Sequence, residues 1–194
     1  MIAVVDYDTG NLRSVANALG RLGAEFCVTD NHKQILAASH VLLPGVGEAQ
    51  SAMTKLRERG LDELIPSLTR PVLGICIGVQ LMCRSSEEGA AQCMGIFDSC
   101  VKRFPNDMNL KVPHMGWNSI EQLRSPLFEG IAEGSYIYYV HSFAPELSQH
   151  TIATTTYGLD FSAALSRDNF FGVQFHPEKS GEAGSQILEN FLRL

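Results

Sequence analysis

The sequence predicts an α/β fold, with a central, mostly parallel sheet flanked by helices and an additional antiparallel, β-rich part in the second half. Three observations lead there. The first half alternates short apolar runs with amphipathic stretches, the pattern of βαβ units that feed a parallel sheet. Pro71-Val72-Leu73-Gly74-Ile75 is continuously apolar, as a strand buried on both faces requires. Beyond about residue 95 the texture changes to β-branched and aromatic runs with turn residues between them.

Taken in order, residues 2–6 read as the first strand. Across residues 11–22, Leu12, Val15, Ala16, Leu19 and Leu22 share one helical face, with Gly10-Asn11 as turn and cap. Residues 25–29 form a second strand, and a weak helix follows. A third strand over 40–43 ends in the turn Pro44-Gly45-Val46-Gly47, after which helical spacing resumes from about residue 48 to 59. The apolar run at 71–75 leads directly into Cys76, with Gln80, Leu81 and Met82 continuing as a helix. Strands are expected at 101–104, 135–140, 151–157, 163–166 and 170–175, in a meandering and partly antiparallel arrangement. In the closing stretch, 182–194, Ile187, Leu188, Phe191 and Leu192 fit an amphipathic helix. No repeat, low-complexity segment or linker interrupts the 194 residues, so a single domain over 1–194 is expected.

Composition narrows the function. With 45% hydrophobic and 19% charged residues, the chain can bury a sizeable core. Its 15 Lys and Arg against 21 Asp and Glu give a net charge of −6, which argues against binding nucleic acid through its phosphates. Asp6 interrupts the first apolar run too early for a secretory leader, and no stretch approaches the roughly 18 apolar residues of a membrane span, so a soluble, cytoplasmic protein without membrane attachment is expected. Five cysteines without a Cys-x-x-Cys suggest neither a disulfide framework nor a zinc ribbon. Six scattered histidines and the lack of a phosphate-binding Gly-rich motif point to no metal and no organic cofactor.

Three constellations carry chemistry. Gly74-Ile75-Cys76-Ile77-Gly78 has the G-x-nucleophile-x-G form of a strained strand-to-helix elbow, with small residues on either side because the turn is sharp. A thiol at a helix N-terminus is favoured as thiolate, although the pentapeptide alone is equally compatible with a buried cysteine after a core strand. Phe175-His176-Pro177-Glu178 places a carboxylate two residues beyond a histidine, on the same face if the backbone stays extended, as base and orienter. Taken singly, His176 could be a structural histidine; with Cys76 about a hundred residues upstream it supports a Cys-His-Glu triad. In Pro44-Gly45-Val46-Gly47, the glycines allow backbone amides to face a cleft, where an N–H of Gly45 or Val46 with that of Ile77 would form an oxyanion hole. A plain turn is the other reading of that loop.

In order and spacing these residues resemble the class I (triad) glutamine amidotransferases. Within that family, residues 6–12, 44–47, 112–118, 139–143 and 175–180 are similar to the glutaminase subunits of imidazole glycerol phosphate synthases; His114-Met115-Gly116-Trp117-Asn118 is the most specific segment. The resemblance spans essentially the whole chain and implies a flavodoxin-like fold. It implies that L-glutamine is the substrate, that the Cys76 thiolate attacks its carboxamide, that His176 protonates the departing ammonia, and that water releases glutamate. It assigns substrate contacts to Gly47, Gln80, Glu88 and the segment His141-Ser142-Phe143. A solvated Glu88 and a structural His141 are the other readings of those residues.

The resemblance also implies a separate (β/α)8-barrel cyclase subunit that receives the ammonia in histidine biosynthesis. It places Asn11, Trp117, Tyr138 and Lys179 near the surface facing that partner. Read without the resemblance, Trp117 is an ordinary core aromatic and Lys179 a surface charge. Departures are few: Ile77 and Val79 stand where leucine and methionine are commoner, and Ala49 stands where an aromatic is frequent. None removes a reacting group. The competing readings are a glutaminase serving another synthase, such as one for sugar modification, and a catalytically silent binding subunit. The specific segments disfavour a cysteine peptidase on the same scaffold.

Overall fold

A computed structural model of the chain describes residues 1–8, 11–105 and 110–194. The first half follows the predicted alternation: β1 (Ile2–Val5), α1 (Leu12–Arg21), β2 (Phe26–Thr29), α2 (His32–Ala37), β3 (His40–Gly45), α3 (Ala49–Glu58), α4 (Leu61–Leu64), β4 (Val72–Cys76) and α5 (Ile77–Met82). Then come β5 (Ser85–Ser86), β6 (Ala91–Gln92), β7 (Cys100–Arg103), β8 (His114–Ser119), β9 (Tyr136–His141), β10 (Phe143–Pro145), β11 (Thr151–Tyr157), β12 (Leu159–Arg167), β13 (Phe170–Val173) and α6 (Gly181–Leu192).

Seven strands form the central sheet in the order β11-β12-β13-β4-β3-β1-β2. The pairs β2·β1, β1·β3, β3·β4 and β4·β13 are parallel, and β12 and β11 are added antiparallel at one edge. The rest of the second half builds a four-stranded sheet, β10-β7-β5-β6, and the hairpin β8·β9. The structure thus has the expected mostly parallel core with an antiparallel part.

Side chains alternating along each central strand divide the core into two layers. Ala3, Val5, Val41, Leu43 and Val72 pack with Met53, Leu56 and Leu61 beneath α3 and α4. Ile2, Val4, Leu42, Leu73 and Ile75 pack with Val15 and Leu19 of α1 and Ile187, Leu188 and Phe191 of α6 on the opposite face. Each such fully buried Val, Leu or Ile stabilises the fold by roughly 1.5–3 kcal/mol.

The helix faces differ slightly from expectation. In α1 the buried residues are Val15, Ala18 and Leu19, so Ala18 replaces Ala16 on the core stripe. Asn11 does not cap α1 with its side chain; it sits at φ 73° and directs its amide elsewhere, while Gly10 lies outside the described residues. Among the described residues no helix is long and apolar enough to cross a membrane.

Candidate active site

β3, β4 and β13 lie side by side, and the loops at their C-terminal ends converge on one cleft of about 360 Å³. This is where open parallel sheets place their functional groups. Cys76 ends β4 and turns directly into α5, with φ 54° and ψ −112°, a conformation that few non-glycine residues adopt. Two glycines make the turn possible. A Cβ on Gly78 would lie 1.8 Å from the Leu43 carbonyl oxygen, and one on Gly74 would lie 2.6 Å from Met82 Sδ and 2.8 Å from the backbone of Gly78. The spacing of the elbow is therefore a packing requirement of β3 against the start of α5. Ile77 is the first residue of α5, a position whose N–H has no intrahelical acceptor.

The neighbouring loop follows β3. Gly45 belongs to the strand, in register with Cys76, and does not line the cleft; Val46 and Gly47 do. The two glycines have different reasons. Gly47 needs its φ of +102°, whereas a Cβ on Gly45 would lie 2.4 Å from the Tyr7 hydroxyl. That hydroxyl is buried and donates to the Pro44 carbonyl at 2.9 Å, anchoring the base of the loop. Of the residues expected to supply oxyanion donors, Val46 and Ile77 line the cleft and Gly45 lies one residue behind.

His176 and Glu178 meet, but not through an extended backbone. Pro177–Lys179 forms a single 3-10 turn, which brings Glu178 Oε1 to 2.8 Å from His176 Nδ1, both side chains buried. The same Oε1 accepts from Asn11 Nδ2 at 2.5 Å, so the left-handed Asn11 reaches across to the carboxylate. The turn is tied down at several points. The His176 N–H donates to the Tyr138 carbonyl at 2.9 Å, and the Ser180 hydroxyl donates to the His176 carbonyl at 2.6 Å while accepting from the Tyr138 N–H at 3.0 Å. Gly184 lets α6 press on the turn, since a Cβ there would lie 2.0 Å from the Pro177 carbonyl oxygen.

Burial pushes the His176 imidazole down, but the Cys76 sulfur and the Glu178 carboxylate both stabilise its charged form and outweigh burial, raising its pKa to about 9. Its Nε2 is buried and has no hydrogen-bond partner of normal geometry. Nδ1 faces the carboxylate, which leaves Nε2 as the nitrogen available to a reacting group. The Cys76 Sγ lies 4.0 Å from the Val140 carbonyl and 3.8 Å from Gln174 Nε2.

The cleft also brings together the residues expected to contact substrate. Gln80, Glu88, His141, Ser142 and Phe143 all line the cleft, as does Lys179 at its rim. Glu88 Oε2 accepts from the Ala49 N–H at 2.9 Å, linking the cleft to the start of α3. Burial raises its pKa, the Ala49 hydrogen bond opposes that, and nearby Glu48 adds to it. Gln80 is buried; its Nε2 donates to the Phe143 carbonyl and to Gln174 Oε1, both at 3.0 Å, while its Oε1 is unpaired. His141 has both ring nitrogens engaged inside the protein, with Nδ1 2.9 Å from the Phe143 carbonyl and Nε2 3.2 Å from His114 Nδ1. The ring therefore has no N–H to offer the cleft, and any contact from this position is through its backbone or ring face.

Near the cleft mouth, Trp117 is 55% exposed, not a core residue, and stands edge-on to Tyr138 with ring centroids 6.0 Å apart. Lys179 Nζ lies 5.9 Å over the Tyr138 ring. These three residues, with Met115 at 64% exposure, form one surface beside the triad. Sequence reasoning assigned no role to Tyr7, Gln174, Ser180 or His114. Tyr7 acts on the Pro44 carbonyl and Ser180 on the Tyr138 N–H, backbone groups distant in sequence that no local pattern reveals, and Gln174 and His114 likewise act through side chains far along the chain. Among the described residues no group of three His, Cys, Asp or Glu side chains could hold a metal ion, and all five cysteines are free.

Comparison with known proteins identifies the family. Residues 3–194 match the family model for class-I glutamine amidotransferases. The chain is 54% identical over 194 residues, all of this chain and 99% of the relative, to "Imidazole glycerol phosphate synthase subunit HisH" of Bacteroides fragilis. It is 48% identical over 195 residues to the protein of that name in Yersinia pseudotuberculosis, covering 100% of this chain and 99% of the relative. Among solved structures, a glutamine amidotransferase superposes with a TM-score of 0.77 at 19% identity, covering 100% of this chain and 98% of the other. A chain of PurLQS from Thermotoga maritima superposes with a TM-score of 0.69 at 18% identity, covering 99% of this chain and 97% of the other. With its elbow cysteine, its His-Glu turn and a family match over nearly its full length, the chain belongs to the class-I glutamine amidotransferases.

Proposed function

We propose that this chain is the glutaminase subunit of imidazole glycerol phosphate synthase, acting in histidine biosynthesis. The observation that carries the reading is that Cys76 and His176 line one cleft of about 360 Å³, with Glu178 paired to His176 behind it, in a chain 54% identical along its length to a subunit of that name. We read residues 1–194 as one glutamine amidotransferase domain working in the cytoplasm.

In this reading L-glutamine enters the cleft and the Cys76 sulfur attacks its side-chain carbonyl carbon. Negative charge develops on the carbonyl oxygen, and we assign its stabilisation to the N–H groups of Ile77 and Val46, two residues that line the cleft. The C–N bond breaks as His176 Nε2 delivers a proton to the departing nitrogen, giving ammonia and a γ-glutamyl thioester on Cys76. A water molecule, deprotonated by the same nitrogen, then attacks the thioester carbonyl; glutamate leaves and the thiol is restored. Glu178 holds Nδ1–H and stabilises the imidazolium, and Asn11 holds Glu178. Gln80 Oε1, unpaired and acceptor only, suits an N–H of glutamine, and the half-buried Glu88 carboxylate suits its ammonium.

The ammonia passes to a cyclase subunit, which we take to be a (β/α)8 barrel, docked over Trp117, Tyr138 and Lys179, with Asn11 linking that face to the triad. The direct hydrogen bonds between the Tyr138 backbone, Ser180 and His176 support coupling between this surface and the triad. The test is glutamate release from L-glutamine by the chain alone, then with the cyclase and its nucleotide ligand. Large stimulation that is lost in Cys76→Ala is expected. Turnover indifferent to the cyclase would point to another synthase, and no turnover under either condition would point to a silent binding subunit.

A further inference from the structure

Strand β8 has two faces of different character. Met115 and Trp117 point outward and are 64% and 55% exposed. His114 and Asn118 point inward, and His114 lies flat between two tyrosine rings, 3.9 Å from the centroid of Tyr157 and 4.8 Å from that of Tyr139. From Asn118 an unbroken series of hydrogen bonds runs to the cleft, and its polarity is determined from both ends.

At the outer end, Asn118 Oδ1 accepts from the Ser119 N–H at 2.8 Å and Nδ2 donates to the Thr156 carbonyl at 3.0 Å, which orients the amide. The second hydrogen of Nδ2 faces His114 Nε2 at 3.4 Å, so that nitrogen is an acceptor and the ring proton of His114 sits on Nδ1. Nδ1–H then donates to His141 Nε2 at 3.2 Å, which places the His141 proton on Nδ1 as well. At the inner end a carbonyl, which can only accept, demands the same answer: His141 Nδ1–H donates to the Phe143 carbonyl at 2.9 Å. That carbonyl also accepts from Gln80 Nε2 at 3.0 Å, and the other Nε2 hydrogen goes to Gln174 Oε1 at 3.0 Å. With both amide hydrogens used, Gln80 can present only Oε1, and Oε1 is the buried atom left without a partner.

We infer that His114 and His141 are positioning residues: as a pair of neutral Nδ1–H tautomers they hold the Phe143 carbonyl, and through it the Gln80 carboxamide, so that Gln80 Oε1 faces the cleft as an acceptor for an N–H of glutamine. This deepens the glutaminase reading and rests on it. Burial depresses the pKa of His114 to about 4. Burial, joined by His114 and His176 and opposed by the Phe143 hydrogen bond, depresses that of His141 to about 3. Both rings are thus neutral in the physiological range, as the series of hydrogen bonds requires. A contact to Gln80 Oε1 is made in the bound substrate and persists in the transition state, so losing it weakens binding without slowing the chemical step.

The test has two arms. In the full chain labelled with 15N in its histidine rings, long-range 1H–15N spectra at pH 7 are expected to show two neutral histidines protonated at Nδ1, assigned to His114 and His141 by loss or shift of their signals in His114→Asn. A charged ring or an Nε2–H tautomer at either position would overturn the inference, whatever the activity. In the complex with the cyclase, His114→Phe keeps an aromatic ring between the tyrosines but deletes the donor to His141; it is expected to raise KM for glutamine about tenfold with kcat within about twofold of the unsubstituted protein. His114→Asn, whose Nδ2–H can replace the lost donor, is expected to bring KM back to within about threefold. Unchanged KM in His114→Phe, a loss in kcat alone, or no rescue by His114→Asn would overturn the inference. Absence of glutaminase activity in the unsubstituted complex would instead strike at the function, leaving the tautomers to be judged by the spectra.

Discussion

The parallel half and the β-rich half of the molecule build the two walls of one cleft by different means. On the β3·β4 side, position is set by backbone contact: Cys76 stands where it does because Gly78 lies against the Leu43 carbonyl and Gly45 lies under the Tyr7 hydroxyl. On the β8·β9·β10 side, position is set by buried polar side chains that hold one another, through His114 and His141, through the Phe143 carbonyl that holds Gln80 of α5, and through the bond between Tyr139 Oη and Thr155 Oγ1 at 2.6 Å. The nucleophile must be held against its own strained conformation, which steric walls can do. The substrate wall must present a donor or acceptor of defined sense, which only an oriented hydrogen-bond network specifies.

The largest contrast is in rate. Cys76→Ala is expected to lower cyclase-stimulated glutamate release by roughly ten-thousand-fold or more, with a thermal unfolding midpoint close to that of the unsubstituted chain. A comparable loss from a single hydrogen-bond deletion in the β-rich wall would erase the distinction between the two walls.

Next in size is a pair of glycine substitutions. Gly78→Ala places a Cβ 1.8 Å from a backbone oxygen and is expected to cost at least about 3 kcal/mol in denaturant unfolding. Gly116→Ala, in β8, meets nothing within 4 Å and is strained only by its φ of +129°, so it is expected to cost about 1–2 kcal/mol. Equal costs would show that steric approach does not set the elbow. In the polar wall, Tyr139→Phe removes a buried hydroxyl from Thr155 and is expected to cost about 1 kcal/mol by the same measurement.

The subtlest difference is in pH dependence, where the two walls have opposite signs. His176 has its pKa raised in the folded state, to about 9, above the ordinary 6.5, so its contribution is fully present below pH 6.5 and is lost as pH rises through 9. The stability advantage of the unsubstituted chain over His176→Gln should therefore narrow between about pH 6.5 and 9.5. His114 and His141 have theirs lowered; the unfolded chain binds protons near pH 6.5 that the folded chain refuses until about pH 4 and 3, so they destabilise as pH falls from 6.5. His114→Asn should gain on the unsubstituted chain between about pH 7 and 5. Thermal unfolding across pH measures both.

The same contrast governs what could be read from the amino-acid sequence. The elbow is legible because its chemistry and its steric requirements lie within five consecutive residues, Gly74 to Gly78, following an apolar strand. His176 and Glu178 are legible as a pair for the same reason, although Pro177 turns the backbone where an extended strand was expected. β8 escaped because its inward residues, His114 and Asn118, are polar and its middle is Gly116, so no apolar alternation marks it. β5, β6 and β10 are two or three residues long, too short for any periodicity. Gln174 reads as one more residue of a strand run; only the fold brings its amide between Gln80 and the Cys76 sulfur. Trp117 looked apolar enough for a core, and the hairpin β8·β9 turns it outward.

The central claim is that Cys76 is the residue on which glutamine is opened. The direct measurement is mass spectrometry of the peptide containing Cys76 after acid quenching of the complex during turnover with L-glutamine. The account predicts that this peptide gains the mass of one γ-glutamyl group, and that the gain disappears in Cys76→Ala. Steady glutamate release in Cys76→Ala, or the adduct on another of the five cysteines, would contradict it.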